Sequence, residues 1–284
     1  MPVFRNFNQK ELDAQYNVRA GISNHLEIFS RWKVEGEKFR SENFSRLDLK
    51  YGRENNQNLD YFESKHPRAP LLVFIHGGYW QSLDKSDFSP VAAPYLEKGI
   101  DVAVINYRLA PMVSMENIVD DNRNALKWLY DHAAELGFDR NRLYVSGHSA
   151  GGHLTAVMAS TNWASLGYPA DIVKGGCAIS GLHDLEPIRL CYLNKALGLD
   201  RRDVERFSPL RKAERYMVPL ILTVGGDESP EYFRLQGEFE SRLRSDDALI
   251  EVVAMQGGHH FDAVDALGDR SSALAASVIR MIQG

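Results

Sequence analysis

Apolar positions along the chain fall into two spacings. Short, nearly continuous apolar runs occur at Leu71–Ile75, Val102–Ile105, Leu143–Val145, Gly176–Ile179 and Leu220–Val224. Such runs suit strands buried on both faces of a parallel sheet. Between them, 88–98, 116–136, 150–160 and 230–244 read as helices. In 116–136, Ile118, Asn122, Ala125, Leu129 and Leu136 share one face, an amphipathic stripe with a polar interruption. A further strand is expected at Leu249–Val253 and a terminal helix at about 264–282. Upstream, 9–41 reads as mainly helical, with Ile22, Leu26, Phe29 and Lys33 near one face. Arg46–Lys50 and Asn58–Phe62 alternate around the turn-rich Gly52–Asn56, which predicts an antiparallel hairpin. Strands alternating with helices predict an α/β architecture: a mostly parallel central sheet of about eight strands, with helices on both faces. No flexible linker interrupts the chain, so 1–284 is expected to be one domain, with 1–45 as a helical N-terminal segment. The stretch 181–218 is too long for a plain crossover and is expected to form a small cap.

Charge and composition narrow the function classes. The net charge is −5, from 38 acids against 33 bases, and no basic run is long enough to track a phosphate backbone. Nucleic acid is therefore not an expected partner. The start, Met1-Pro2-Val3-Phe4-Arg5-Asn6-Phe7, lacks the apolar core of a signal peptide, and no apolar stretch approaches membrane-spanning length. Cys177 and Cys191 fit reduced thiols better than a disulfide framework. A cytoplasmic protein with no membrane partner is the expectation; a homodimer is allowed. With neither His-Glu-x-x-His nor Cys-x-x-Cys, no metal is expected.

The chemistry concentrates at predicted strand ends. Gly147-His148-Ser149-Ala150-Gly151 follows a strand and opens into a helix-like stretch. Glycines two before and two after the serine allow a sharp turn that forces its hydroxyl onto the tip. A free serine is a poor nucleophile at neutral pH and needs a base. His259 and His260 follow the last predicted strand, and Asp227 and Glu228 follow the strand before it. The order serine, acid, histidine is that of an α/β-hydrolase. Either carboxylate could hold the imidazole in its working tautomer. His76-Gly77-Gly78-Tyr79-Trp80 ends an earlier strand; its glycine N–H groups, with that of Ala150, are candidate oxyanion donors. Tyr79 and Trp80 are expected to bind substrate, Trp80 by stacking on an aromatic ring at the pocket mouth, although it could equally be a core residue. His148 and His153 flank the turn and are expected to pack or hydrogen-bond locally.

Three segments together resemble the kynurenine formamidase (arylformamidase) family: His76-Gly77-Gly78-Tyr79-Trp80-Gln81-Ser82, Gly147-His148-Ser149-Ala150-Gly151 and Ser180-Gly181-Leu182-His183-Asp184-Leu185-Glu186-Pro187. That family lies in the hormone-sensitive-lipase-like branch of α/β-hydrolases, and the resemblance extends from Glu11-Leu12-Asp13-Ala14-Gln15-Tyr16 to His260-Phe261. It implies Ser149 as nucleophile, with Gly77, Gly78 and Ala150 as oxyanion contacts. The family's histidine directly precedes a phenylalanine, which selects His260. Its acid precedes a Ser-Pro-Glu-aromatic stretch, here Ser229-Pro230-Glu231-Tyr232, which favours Glu228 on register and leaves Asp227 as the alternative. The implied reaction cleaves an N-formyl aromatic amide through a formyl-serine, with no cofactor. Two other readings use the same residues: a short-chain carboxylesterase or amidase of another N-acyl aromatic, and a non-catalytic small-molecule-binding protein on a hydrolase fold.

Overall fold

The computed structural model describes residues 1–284. Eight strands form one sheet: β1 (Ser45–Lys50), β2 (Asn58–Phe62), β3 (Leu71–Ile75), β4 (Asp101–Ile105), β5 (Leu143–His148), β6 (Val173–Ile179), β7 (Leu220–Thr223) and β8 (Ile250–Val252). Their order across the sheet is β1-β2-β4-β3-β5-β6-β7-β8. β2 runs antiparallel to both β1 and β4; the remaining pairs are parallel. Pleating divides each central strand between two apolar cores. Leu71, Val73 and Ile75 enter one cluster, Leu72 and Phe74 the other. This is why these runs carry no polar positions: both faces are covered. No helix is long and apolar enough to cross a membrane.

The expected elements appear with changes: 88–98 is a 3₁₀ helix, Lys85–Ala92, running into Ala93–Leu96, 116–136 breaks at His132 into Met115–Asp131 and Ala133–Leu136, and both ends of the chain differ. Residues 9–41 form three helices, Gln9–Tyr16, Val18–Gly21 and His25–Glu42. The buried stripe of the longest is Ile28, Trp32 and Gly36, whereas Leu26 is 72% exposed. Because that helix begins only at His25, Ile22 lies outside its periodicity. Gly36 sits so close to the Ser86 carbonyl that a Cβ would lie 2.0 Å from it, and this close approach fixes the face. The terminal helix is two helices, His260–Gly268 and Ala273–Gln283. The first starts at the catalytic candidate itself because His259 caps it: the His259 ring accepts from Asp262 N–H, and Asp262 accepts from His259 N–H at 2.8 Å. Ser272 caps the second.

Parallel register sets the site. Ile75 pairs with Gly147, His148 with Ile179, and Ile179 with Thr223. The loops leaving β3, β5, β6 and β7 therefore emerge side by side at one edge, where open α/β sheets hold ligands. The stretch 181–218, between β6 and β7, folds as three short helices, Glu186–Leu190, Asn194–Leu197 and Arg201–Phe207, and a 3₁₀ turn, Pro209–Arg211. The Asp184–Arg211 pair at 3.0 Å ties its two ends together.

Candidate functional site

Ser149 occupies the tip of the β5 turn at φ 57, ψ −115, a left-handed conformation unfavourable for a residue with a Cβ. Crowding below it enforces the turn. A Cβ on Gly151 would lie 1.9 Å from the Ile75 carbonyl oxygen, and one on Gly147 would lie 2.4 Å from the Gly151 oxygen. The Ser149 N–H donates to Ile179 O at 2.8 Å, pinning the tip to β6. His260 is buried, and its Nδ1–H donates to Glu228 Oε2 at 2.6 Å. The other carboxylate oxygen of Glu228 accepts from Gly225 N–H at 2.9 Å and from the Ser180 hydroxyl. Glu228 is thus held from both sides, its side chain 1% exposed. Asp227 is exposed, and its carboxylate takes no part in this network. Between the two acids, the geometry brings Glu228 to the imidazole. Ser149 and His260 line one narrow pocket together with Gly78, Tyr79 and His148. No direct hydrogen bond joins hydroxyl and imidazole in this conformation; such contacts often tighten only with substrate.

Gly77 packs against the nucleophile, where a Cβ would lie 3.3 Å from that of Ser149. The N–H groups of Gly77, Gly78 and Ala150 have no protein acceptor. Unpaired donors at the mouth of a helix beside a nucleophile can hold a developing oxyanion. No cluster of three or more His, Cys, Asp or Glu side chains is arranged to hold a metal ion.

One expected contact changes role. Trp80 is fully buried and packs edge-on against His153, ring centroids 5.1 Å apart, so it forms the floor under the turn rather than a stacking surface. The left-handed bends at Gly78, Tyr79 and Trp80 turn the indole inward. Tyr79 does line the cavity; its hydroxyl donates to the Tyr16 carbonyl at 2.6 Å and meets the Tyr232 hydroxyl at 2.8 Å. Tyr232 in turn lies beside Ser149 and His260.

His148 proves more than a local packing residue. Its Nε2–H donates to the His260 carbonyl at 2.9 Å, tying the start of that helix to the β5 turn. Burial, and then the neighbouring His260, holds its pKa well below the ordinary imidazole value, so it stays neutral. His153 donates to the Phe207 carbonyl at 2.8 Å, linking the turn to the cap, and burial lowers its pKa to about 4. Below the ordinary value of 6.5 the unfolded chain binds a proton that the folded His153 refuses until about pH 4, so stability falls as the pH drops through that window. The loss from this group amounts to about 3 kcal/mol across the window. Urea midpoints at pH 7 and pH 5 should therefore differ less for His153→Gln than for the unchanged protein. Identical slopes would remove His153 as a cause.

A family model described as BD-FAE matches residues 59–172. A zebrafish (Danio rerio) protein, kynurenine formamidase, is 30% identical over 99% of this chain and 99% of its own. The chain belongs to the kynurenine formamidase family. The Drosophila melanogaster kynurenine formamidase is 32% identical over 76% of this chain and 75% of its own length. A solved Silicibacter structure, provisionally assigned as a thioesterase, superposes with a TM-score of 0.82 at 29% identity, covering 96% of this chain and 99% of that one. The chain is thus a hydrolase of the α/β-hydrolase fold. In this formamidase-family site, the supporting residues invisible to motif reading are Ser180, His148 and Tyr232. All three lie in stretches quoted for the resemblance, but the stretches did not give their contacts.

Proposed function

We propose that this protein hydrolyses N-formylkynurenine to kynurenine and formate. One observation carries the reading: a serine on a strained turn and a carboxylate-held histidine open onto the same small cavity. The full-length kinship with kynurenine formamidases supports the substrate class. In the first step His260 takes the proton of Ser149 as the hydroxyl attacks the formyl carbon. The N–H groups of Gly77, Gly78 and Ala150 receive the oxyanion. The carbon–nitrogen bond then breaks, and His260 returns its proton to the departing arylamine nitrogen. An anilide nitrogen leaves more readily than an alkylamine because the ring delocalises its lone pair. Water, deprotonated by His260, adds to the formyl-serine and releases formate. Glu228 keeps the Nδ1 proton in place and stabilises the imidazolium. The buried, unpaired Cys177 and Cys191 are consistent with a reducing, cytosolic setting.

Steady-state rates on N-formylkynurenine, the acetyl analogue and p-nitrophenyl acetate test the reading. The formamide should give the highest kcat/KM. An ester preference of several orders of magnitude would make the protein a carboxylesterase instead. Absence of turnover and of fluorophosphonate labelling in folded protein would leave a binding role.

A further inference from the structure

An exposed arginine with no carboxylate partner lies beside the oxyanion loop. Arg19, on the single-turn helix Val18–Gly21, donates one N–H to the Ser82 hydroxyl at 2.8 Å. Ser82 in turn donates to the Gly78 carbonyl at 3.2 Å, so the guanidinium is coupled to the loop beside the nucleophile. Its plane rests 5.3 Å from the Phe29 ring centroid. Other arginines around the site are paired: Arg211 with Asp184, Arg189 with Glu186 and Arg234 with Glu231. No carboxylate pairs with Arg19.

Two adjoining cavities share Arg19, Gly78 and Tyr79. One holds Ser149 and His260; the other reaches to Gln81 and Tyr192. Histidines aside, Arg19 is the sole charged side chain lining either of them. A guanidinium with free N–H groups, backed by an aromatic face, is the geometry that recognises a carboxylate by paired hydrogen bonds. The second cavity has room for a chain extending from the aromatic ring while the ring's acylated nitrogen stays at Ser149.

We propose that Arg19 anchors a carboxylate on the leaving-group side of the substrate, making the site selective for aryl amides that bear a carboxylate over those that lack one. This rests on the N-formylkynurenine reading for its choice of ligand. That ligand carries its carboxylate on a side chain of the ring, away from the formamide. The anchor acts on binding, and the attack by Ser149 is unchanged in kind.

The test uses Ser149→Ala protein, which binds without turnover, and calorimetric titration with N-formylkynurenine and with its carboxyl methyl ester. Adding Arg19→Met, which keeps an unbranched stem over Phe29, should weaken N-formylkynurenine about 10- to 100-fold, the range expected for lost hydrogen bonds to a charged group. The methyl ester, which keeps only its ammonium charge, should bind no more weakly after the change. Arg19→Lys should recover part of the loss. Thermal melts of each variant establish that the fold is retained. Equal weakening of both ligands, or of neither, would overturn the anchor. Turnover of N-formylkynurenine by the unmutated protein is scored separately. If it fails while the carboxylate discrimination persists, the formamidase reading falls and the anion anchor stands.

Discussion

Ser149→Ala is expected to lower kcat by about 10⁴- to 10⁶-fold with the fold intact. The reasoning starts from the backbone. Ser149 is held at φ 57 by a turn that Gly147 and Gly151 permit and by its N–H bond to Ile179. Alanine has the same Cβ and meets the same strain, so the turn loses only a hydroxyl. The free donors of Gly77, Gly78 and Ala150 stay in place, which is why substrate binding should survive while acyl transfer stops. The check combines turnover, fluorophosphonate labelling and a thermal melt. Loss of labelling and activity with an unchanged melt is the expected pattern. A variant that retained even a tenth of the activity would show that water attacks without a covalent intermediate, and the acyl-serine route would fall.

Much of this arrangement was legible in the sequence because the strongest signals are local. The strand runs Leu71–Ile75 and Leu220–Val224 match β3 and β7 to within a residue, since strands covered on both faces admit almost no polar position. Ser149, the His259–His260 pair and the glycine loop could be assigned to one edge because strand ends are where this kind of sheet exposes chemistry, while the choice of His260 rests on the family resemblance. What stayed hidden depends on contacts between distant segments. The hydroxyl chain from Tyr232 through Tyr79 to the Tyr16 carbonyl joins positions 153 and 63 residues apart, and no spacing rule connects them. Of the two readings open for Trp80, the structure takes the core one, with positive φ at Gly78, Tyr79 and Trp80 where the chain leaves β3. Leu26 was assigned inward because periodicity was counted across the break before His25. The helix starting at His260 was read four residues late, since its cap is a histidine rather than a hydroxyl or acid of the usual kind.

The choice between neighbouring carboxylates yields the second large effect: Glu228→Gln should cost about 10³- to 10⁴-fold in kcat, and Asp227→Asn no more than a few-fold. The hydrogen-bond pattern fixes the sign. One Glu228 oxygen already accepts from Gly225 N–H and from the Ser180 hydroxyl. A glutamine can satisfy those two donors only with its carbonyl oxygen. Its amide NH₂ then faces His260 Nδ1, which must become an acceptor, and the ring proton moves to Nε2. An imidazole protonated at Nε2 cannot receive the proton of Ser149, so the base is disabled by its tautomer while its position is unchanged. Nothing comparable follows at Asp227, whose exposed carboxylate holds no ring. Rates for both variants on a formamide and on an aryl ester decide the matter. A large loss confined to Asp227→Asn would transfer the orienting role to that residue. Small, equal losses would mean that the imidazole is held chiefly by its backbone bond to His148.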